Sequence, residues 1–256
     1  MLFAPLLYRF KEASIPNPGG CRIGARPIDR IVNGMKDLGV NVSYNSETGY
    51  YKAFMNVKPC GDYTFVKSSH TGTELMILLS VFCQDKITIY NTALEPEIDD
   101  LISFLNKGGA NIKRSSNDIV IQGVKSLVQR KPYSIVSDRN EAVTFAVLGI
   151  ITKGVVTVGP IPENYLKTFI NVIEKIGGGA EKVDENRWKF FYKGPLTSLD
   201  IITDPHPGFM TDWQPNWAVL MTQAAGKSLI HERVFENRFS YVDELIKMGA
   251  KIEYSS

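Results

Sequence analysis

The run Ile98-Asp99-Asp100-Leu101-Ile102-Ser103-Phe104-Leu105-Asn106-Lys107-Gly108-Gly109-Ala110-Asn111-Ile112-Lys113 contains a helix, a stop signal and the start of a strand. Ile98, Leu101, Ile102 and Leu105 follow the i, i+3, i+4, i+7 stripe of an amphipathic helix. Gly109 suits a left-handed C-cap, because glycine takes positive φ without a Cβ clash. A short strand from Ala110 to Lys113, a polar turn and a second strand, Asp118-Ile119-Val120-Ile121, complete the pattern. Glu95 and Glu97 flank Pro96 at the predicted helix start, where the helix dipole favours acidic residues, so no catalytic role is assigned to them.

The same pattern recurs on both sides. Glycines at positions 39, 109, 179 and 249 are spaced at a constant interval of 70 residues. Ile28, Ile31, Val32 and Met35 form the preceding helical stripe. Leu166, Phe169, Ile170 and Ile173 form the next, displaced by two residues beside the longer Gly177-Gly178-Gly179 turn, and a fourth stretch runs from Phe239 to Ala250. A fixed period of this size marks repeated supersecondary units.

Ahead of the helix in each copy lies a strand, a helix and a strand. One set is Tyr63 to Val66, Thr73 to Phe82 and Lys86 to Tyr90; the next is Tyr133 to Val136, Glu141 to Thr152 and Val155 to Val158. Leu75, Leu78, Leu79 and Phe82 supply a core face for the first of these helices. The fold class is therefore α/β, built from repeated βαβαββ units. The chain contains the tail of one unit (1–62), two full units (63–132 and 133–198) and most of a fourth (199–256). Lys125 to Pro132 is the expected crossover between a first domain, 1–132, and a second, 133–256. Lys251-Ile252-Glu253-Tyr254 reads as a strand reached at the chain end.

An apolar content of 44% and a charged content of 22% over 256 residues describe a globular chain with a substantial core. A net charge of +2 argues against a dedicated nucleic-acid binder. Cys21, Cys60 and Cys83 are widely spaced, and His70, His206 and His231 are scattered, so neither a disulfide framework nor a metal site is expected. This usage fits a reduced, cytoplasmic setting. No apolar run reaches the length of a membrane span, and Met1 to Phe10 lacks the features of a signal peptide.

Four loops stand out from the frame. Pro16-Asn17-Pro18-Gly19-Gly20-Cys21-Arg22-Ile23-Gly24-Ala25-Arg26-Pro27 places a thiol beside two arginines, a positive field that favours thiolate. Lys67-Ser68-Ser69-His70-Thr71-Gly72-Thr73 opens a helix, where backbone N–H groups hold phosphate or a Ser serves as an N-cap. Ser137-Asp138-Arg139-Asn140-Glu141 occupies the equivalent point one unit later and reads as a local salt-bridge set. Thr203-Asp204-Pro205-His206-Pro207-Gly208-Phe209-Met210-Thr211-Asp212 delivers Asp212 to a helix start, as an N-cap or a general base; His206 between prolines reads as structural.

Pro18-Gly19-Gly20-Cys21-x-Ile23-Gly24-Ala25-Arg26-Pro27-x-Asp29 resembles the active-site loop of the UDP-N-acetylglucosamine enolpyruvyl transferase (1-carboxyvinyltransferase) family. Glu95-Pro96-Glu97-Ile98, Asp138-Arg139-x-Glu141, Pro205-His206-Pro207-Gly208-Phe209-x-Thr211-Asp212-x-Gln214-Pro215 and Val234-Phe235-Glu236-Asn237-Arg238-Phe239 resemble further family motifs, in the family's order. The likeness runs the whole length of the chain and extends, more distantly, to the shikimate enolpyruvyl transferases.

This resemblance implies two domains, each an inside-out α/β barrel of three units, with the site in the cleft between them. It implies transfer of enolpyruvyl from phosphoenolpyruvate to the 3′-hydroxyl of UDP-N-acetylglucosamine with release of phosphate, the committed step toward peptidoglycan in cell-wall biogenesis, cell shape and division, without a cofactor. It implies that Cys21 is the proton donor to the enolpyruvyl methylene and the thiol alkylated by fosfomycin, that Arg26 neutralises phosphate, and that Asp212 takes the hydroxyl proton. Pro27, Ile28, Asp29 and Arg30 fall in the stretch around the uracil; Lys67, Ser69 and His70 fall where the family holds the nucleotide phosphates. Thr211 accompanies Asp212 on the substrate side, and Val234, Phe235 and Arg238 fall where the family contacts the sugar nucleotide. The expected partners are these two substrates and the flanking units of a longer chain, not nucleic acid or membrane.

The sequence also departs from the family. Arg30-Ile31 stands in place of the usual Leu-His pair, His70-Thr71-Gly72-Thr73 in place of Val-Gly-Ala-Thr, and Leu94 in place of a basic residue. The Lys-Asn pair of the family's first unit and the Asp-Leu-Arg motif of its last do not occur, so the chain is expected to be an internal piece, inactive or poorly stable alone, with both barrels incomplete. A divergent paralogue acting on another nucleotide sugar or alcohol is the second reading. A non-catalytic binding protein is the third, opposed by the joint presence of Cys21, Arg26 and Asp212.

Overall fold

The computed structural model describes residues 1–20, 23–24 and 27–255. The chain folds as two compact units: the described residues of 1–20 and 26–135, and those of 21–25 and 136–256.

The first unit runs α1 (Phe3–Phe10), β1 (Glu12–Pro16), α2 (Asp29–Asp37), β2 (Asn41–Asn45), β3 (Tyr50–Phe54), β4 (Tyr63–Thr64), α3 (His70–Ser80), β5 (Lys86–Tyr90), α4 (Pro96–Lys107), β6 (Asn111–Ser115) and β7 (Asp118–Gln122). One sheet has the order β1-β3-β2, with Glu12 opposite Phe54 and Asn41 opposite Phe54 in antiparallel register. The other has the order β4-β5-β7-β6: β4 is parallel to β5, and the remaining pairs are antiparallel. Residues alternate along the strands, so Ile87 and Ile89 of β5 and Ile119 and Ile121 of β7 are all fully buried. They meet α3, whose Leu75, Met76, Ile77 and Leu79 are buried on more than one face. A helix apolar around most of its circumference lies inside a core. The helix α3 packs against α1, α2 and α4, so helices occupy the interior and sheets the outside.

The second unit runs α5 (Arg139–Ile151), β8 (Val155–Val158), α6 (Glu163–Lys175), β9 (Gly179–Asp184), β10 (Arg187–Phe191), β11 (Ile201–Ile202), a 3-10 turn (Thr211–Trp213), α7 (Gln214–Met221), β12 (Ile230–His231) and α8 (Val242–Lys247). Its sheet has the order β8-β10-β9, and β11 pairs in parallel with β12. Here α5 takes the central place, packed against β8, β10, α6 and α7. Trp213 and Trp217 are 1% and 0% exposed and close the core around Phe169 and Phe209, so these aromatics are packing residues.

The predicted helix–hairpin unit is present in α2-β2-β3, α4-β6-β7 and α6-β9-β10. Gly39, Gly109 and Gly249 have φ of +88°, +103° and +96° after their helices. The third copy differs. There the positive φ, +84°, falls on Gly177, while Gly179 opens β9 beneath the ring of Phe191. A Cβ at Gly179 would lie 2.5 Å from Phe191 Cε2, so this glycine is kept by packing and not by turn geometry.

Other expectations need correction. Residues 133–136 form no strand. Instead Tyr133 stays with the first unit: its hydroxyl donates to Asp100 Oδ1 at 2.8 Å and its ring meets Phe104 edge-on. Residues 251–254 form no strand either. A segment becomes a strand by joining a sheet, and among the described residues neither segment is part of one of the sheets. The helices α3 and α5 begin earlier than periodicity placed them, because Ser69 and Asp138 cap them: Ser69 Oγ accepts from the Gly72 N–H, and Asp138 Oδ1 from the Asn140 and Glu141 N–H groups.

Candidate functional site

In the first unit, the expected nucleotide-side residues gather at the starts of α2 and α3. Asp29 opens α2, with Pro27 exposed and Ile28 half-buried just before it. Arg30 Nη1 reaches the Ser68 carbonyl at 3.5 Å, and the Tyr63 hydroxyl donates to the Arg30 carbonyl at 2.9 Å. Residues 27–30 are therefore tied to the 63–69 segment that leads into α3. Burial raises the Tyr63 hydroxyl above the usual tyrosine range; Asp37 adds to this and Arg30 opposes it.

Lys67 is exposed, whereas Ser69 is half-buried and spends its Oγ on the cap. His70 opens α3, with Nε2 3.5 Å from Glu74 Oε1. Burial alone pulls its pKa down, but the hydrogen bond and charge of Glu74, with Glu95 and Glu97 behind, outweigh burial and raise it. The motif has thus put a titrating group among helix-terminal N–H donors.

In the second unit, Asp212 sits in the middle of the 3-10 turn. It caps no helix: the turn's N-cap is Met210, and no side-chain cap bond is made there or at α7. The N-cap reading of Asp212 is thus overturned. Its Oδ1 instead accepts from Arg238 Nη2 at 2.9 Å, the arginine side chain 14% exposed and the aspartate 47%. A half-open carboxylate faces a largely buried guanidinium, a combination able to accept a proton while binding an anion. Thr211 Oγ1 donates to Glu232 Oε2 at 2.9 Å. Glu232 Oε1 in turn accepts from the Val234 and Phe235 N–H groups at 2.8 and 3.1 Å. Thr211, Asp212, Val234, Phe235 and Arg238, distant in sequence, are therefore assembled in one place.

The first turn of α5 holds the Asp212 loop on both sides. Arg139, 1% exposed, places Nη1 2.8 Å from His206 Nδ1. Next to it, Asn140 Oδ1 accepts from the Trp213 indole Nε1 at 3.0 Å. The salt-bridge reading of this motif missed both bonds, since each joins residues about one repeat apart. Glu232 was missed as well; a single glutamate ahead of Val234-Phe235 has no periodic signal.

Cys21 and Arg26 lie outside the described residues. Of their loop, Ile23 accepts from the Asn237 N–H at 2.9 Å, and a Cβ at Gly24 would lie 2.7 Å from Glu236 Oε2. The motif glycine thus permits close approach to the 236–237 segment. Among the described residues, no His/Cys/Asp/Glu group is placed to hold a metal ion, and no helix is long and apolar enough to cross a membrane.

The family described as EPSP synthase (3-phosphoshikimate 1-carboxyvinyltransferase) matches residues 2–256. A protein named UDP-N-acetylglucosamine 1-carboxyvinyltransferase 1 from Clostridium acetobutylicum is 39% identical over 255 residues, 99% of this chain and 60% of that protein. A UDP-N-acetylglucosamine 1-carboxyvinyltransferase from Hydrogenovibrio crunogenus is 36% identical over 253 residues, 98% of this chain and 60% of that protein. The chain thus spans about 60% of the length of these curated relatives. Among solved structures, the enolpyruvyl transferase NikO from Streptomyces tendae superposes with a TM-score of 0.84 at 18% identity, covering 100% of this chain and 60% of that one. EPSP synthase from Acinetobacter baumannii superposes with a TM-score of 0.61 at 18% identity, covering 90% and 53%. The superpositions establish the enolpyruvyl transferase fold, in agreement with the repeat of βαβαββ units. From the match over nearly its whole length, the chain belongs to the EPSP synthase (3-phosphoshikimate 1-carboxyvinyltransferase) family.

Proposed function

We propose that this chain carries part of the site that transfers enolpyruvyl from phosphoenolpyruvate to the 3′-hydroxyl of UDP-N-acetylglucosamine. The observation that carries the reading is the Asp212–Arg238 pair on a turn anchored by Thr211 and Glu232. The names of the relatives at 36% and 39% identity supply the substrates. In this proposal the Asp212 carboxylate takes the hydroxyl proton as the acceptor oxygen bonds to C2 of phosphoenolpyruvate, and the Cys21 thiol gives a proton to C3. Return of a proton from C3 to the Cys21 thiolate and cleavage of the bond between C2 and the phosphate oxygen then release phosphate and leave the enol ether. Arg26 and Arg238 offset the charge of two polyanions. Residues 27–30, Lys67, Ser69 and His70 bind the nucleotide, with two domains that follow the expected 1–132 and 133–256 except that residues 133–135 stay with the first. The setting is cytoplasmic peptidoglycan synthesis, serving cell shape and division, with fosfomycin as the inhibitor that alkylates Cys21.

A second reading, a different nucleotide sugar or alcohol as acceptor, rests on Arg30 reaching Ser68 where the family usually shows Leu-His. One experiment separates them: phosphate release from phosphoenolpyruvate by the gene product carrying this chain, across a panel of acceptors. Release that requires UDP-N-acetylglucosamine and disappears in Asp212→Asn supports the first reading. Release with another acceptor supports the second. No release with any acceptor, together with no calorimetric binding of UDP-N-acetylglucosamine, overturns both.

A further inference from the structure

We infer that Glu232 is a positioning residue that locks the Asp212 turn to the Val234–Phe235 segment through a single carboxylate. The inference rests on the proposed roles of Asp212 in proton transfer and of 234–235 in nucleotide contact.

The geometry uses both oxygens. Oε2 accepts from the Thr211 hydroxyl at 2.9 Å, and Oε1 accepts from two consecutive backbone N–H groups at 2.8 and 3.1 Å. Glu232 is half-buried and directly follows β12, whose pairing with β11 fixes where it emerges. The neighbouring Arg233 N–H donates to Thr203 Oγ1 at 2.9 Å, which ties the same stretch to the start of the Asp212 loop. Further along, Arg238 returns to Asp212 at 2.9 Å. The result is a closed circuit, Thr211 to Glu232 to Val234–Phe235 to Arg238 to Asp212. Within it, movement of the nucleotide-contacting segment moves the carboxylate that faces the hydroxyl. Nucleotide binding and proton transfer are coupled by this circuit, so a wrongly seated acceptor leaves Asp212 out of place.

Amide hydrogen exchange on the chain tests the link. Thr211→Val removes only the bond to the Asp212 turn and leaves the Glu232 bonds to its own turn intact. The expected result is a roughly tenfold faster exchange at the Val234 and Phe235 amides, the scale of a weakened bond to a charged acceptor. Exchange within about twofold of the unmodified chain means that Glu232 serves only its own turn, and overturns the inference.

Turnover by the gene product is the second arm. Glu232→Ala is expected to raise the KM for UDP-N-acetylglucosamine and lower kcat together by about tenfold or more, while Glu232→Gln, which keeps an acceptor for the amides, restores most of both. Unchanged kinetics in Glu232→Ala also overturns the inference. If the unmodified protein shows no turnover with UDP-N-acetylglucosamine, the functional reading fails, and the exchange result alone decides whether the two segments are coupled.

Discussion

Asp212 and Arg238 meet at 2.9 Å although they lie 26 positions apart in the sequence, with α7 and β12 between them. The arginine side chain is mostly buried and the aspartate is half open. An ion pair this exposed on one side contributes little to stability, about 1 kcal/mol or less. Arg238→Ala is therefore expected to shift the urea midpoint only slightly but to reduce phosphate release by at least about tenfold. Arg238→Lys keeps the charge but loses the planar fork, and is expected to recover only part of the activity. Equilibrium unfolding and turnover, measured on the same preparations, check both statements.

Asn140 accepts the indole N–H of Trp213, a residue 1% exposed. Removing the acceptor leaves a buried donor without a partner, which costs about 1–3 kcal/mol. Asn140→Ala is expected to destabilise the second unit by that amount in chemical denaturation. Asn140→Asp keeps an acceptor and is expected to lose less. The indole resonance of Trp213 reports the same bond directly and should move in Asn140→Ala.

His70 has a folded pKa above its ordinary value, because Glu74, Glu95 and Glu97 outweigh burial. A raised folded pKa means that the protonated form is favoured on folding. Its stabilisation is fully present below the unfolded histidine pKa and is lost as pH rises through the folded value. The stability of the first unit should therefore fall across that window, by less than about 1 kcal/mol given the partial exposure of the pair. His70→Gln should flatten this part of the curve. A slope unchanged in His70→Gln would assign it to another group.

Gly179 and Gly39 hold matching places in the 70-residue repeat but differ in what a side chain would meet. A Cβ at Gly179 would sit 2.5 Å from the Phe191 ring, whereas one at Gly39 meets nothing within 4 Å but needs a φ of +88°. Gly179→Ala is expected to cost about 1–3 kcal/mol by overpacking, and to be relieved by Phe191→Leu in a double-mutant cycle. Gly39→Ala is expected to cost about 1–2 kcal/mol through backbone strain, with no partner substitution able to relieve it. Thermal unfolding of the single and double variants tests the distinction.

The helix–hairpin units were legible in the sequence because their signals are local. The stripe of Ile98, Leu101, Ile102 and Leu105, the positive-φ glycines at 39 and 109, and the alternation of Ile119 and Ile121 each depend on residues a few positions apart. The 70-residue period then showed that the pattern repeats, and the motifs pointed to the family and to Asp212 and Arg238 as separate candidates. That Tyr133 turns back to Asp100 instead of starting a strand, and that Gly179 serves packing while Gly177 makes the turn, depended on partners that local pattern does not encode. The same holds for the pairing of Asp212 with Arg238, the double use of the Glu232 carboxylate, and the grip of Arg139 and Asn140 on the Asp212 loop. Periodicity and turn chemistry are set by short-range backbone sterics and by which face is apolar. Contacts between residues 12 to 73 positions apart are set by how strands pair and helices pack, and only the tertiary structure decided them.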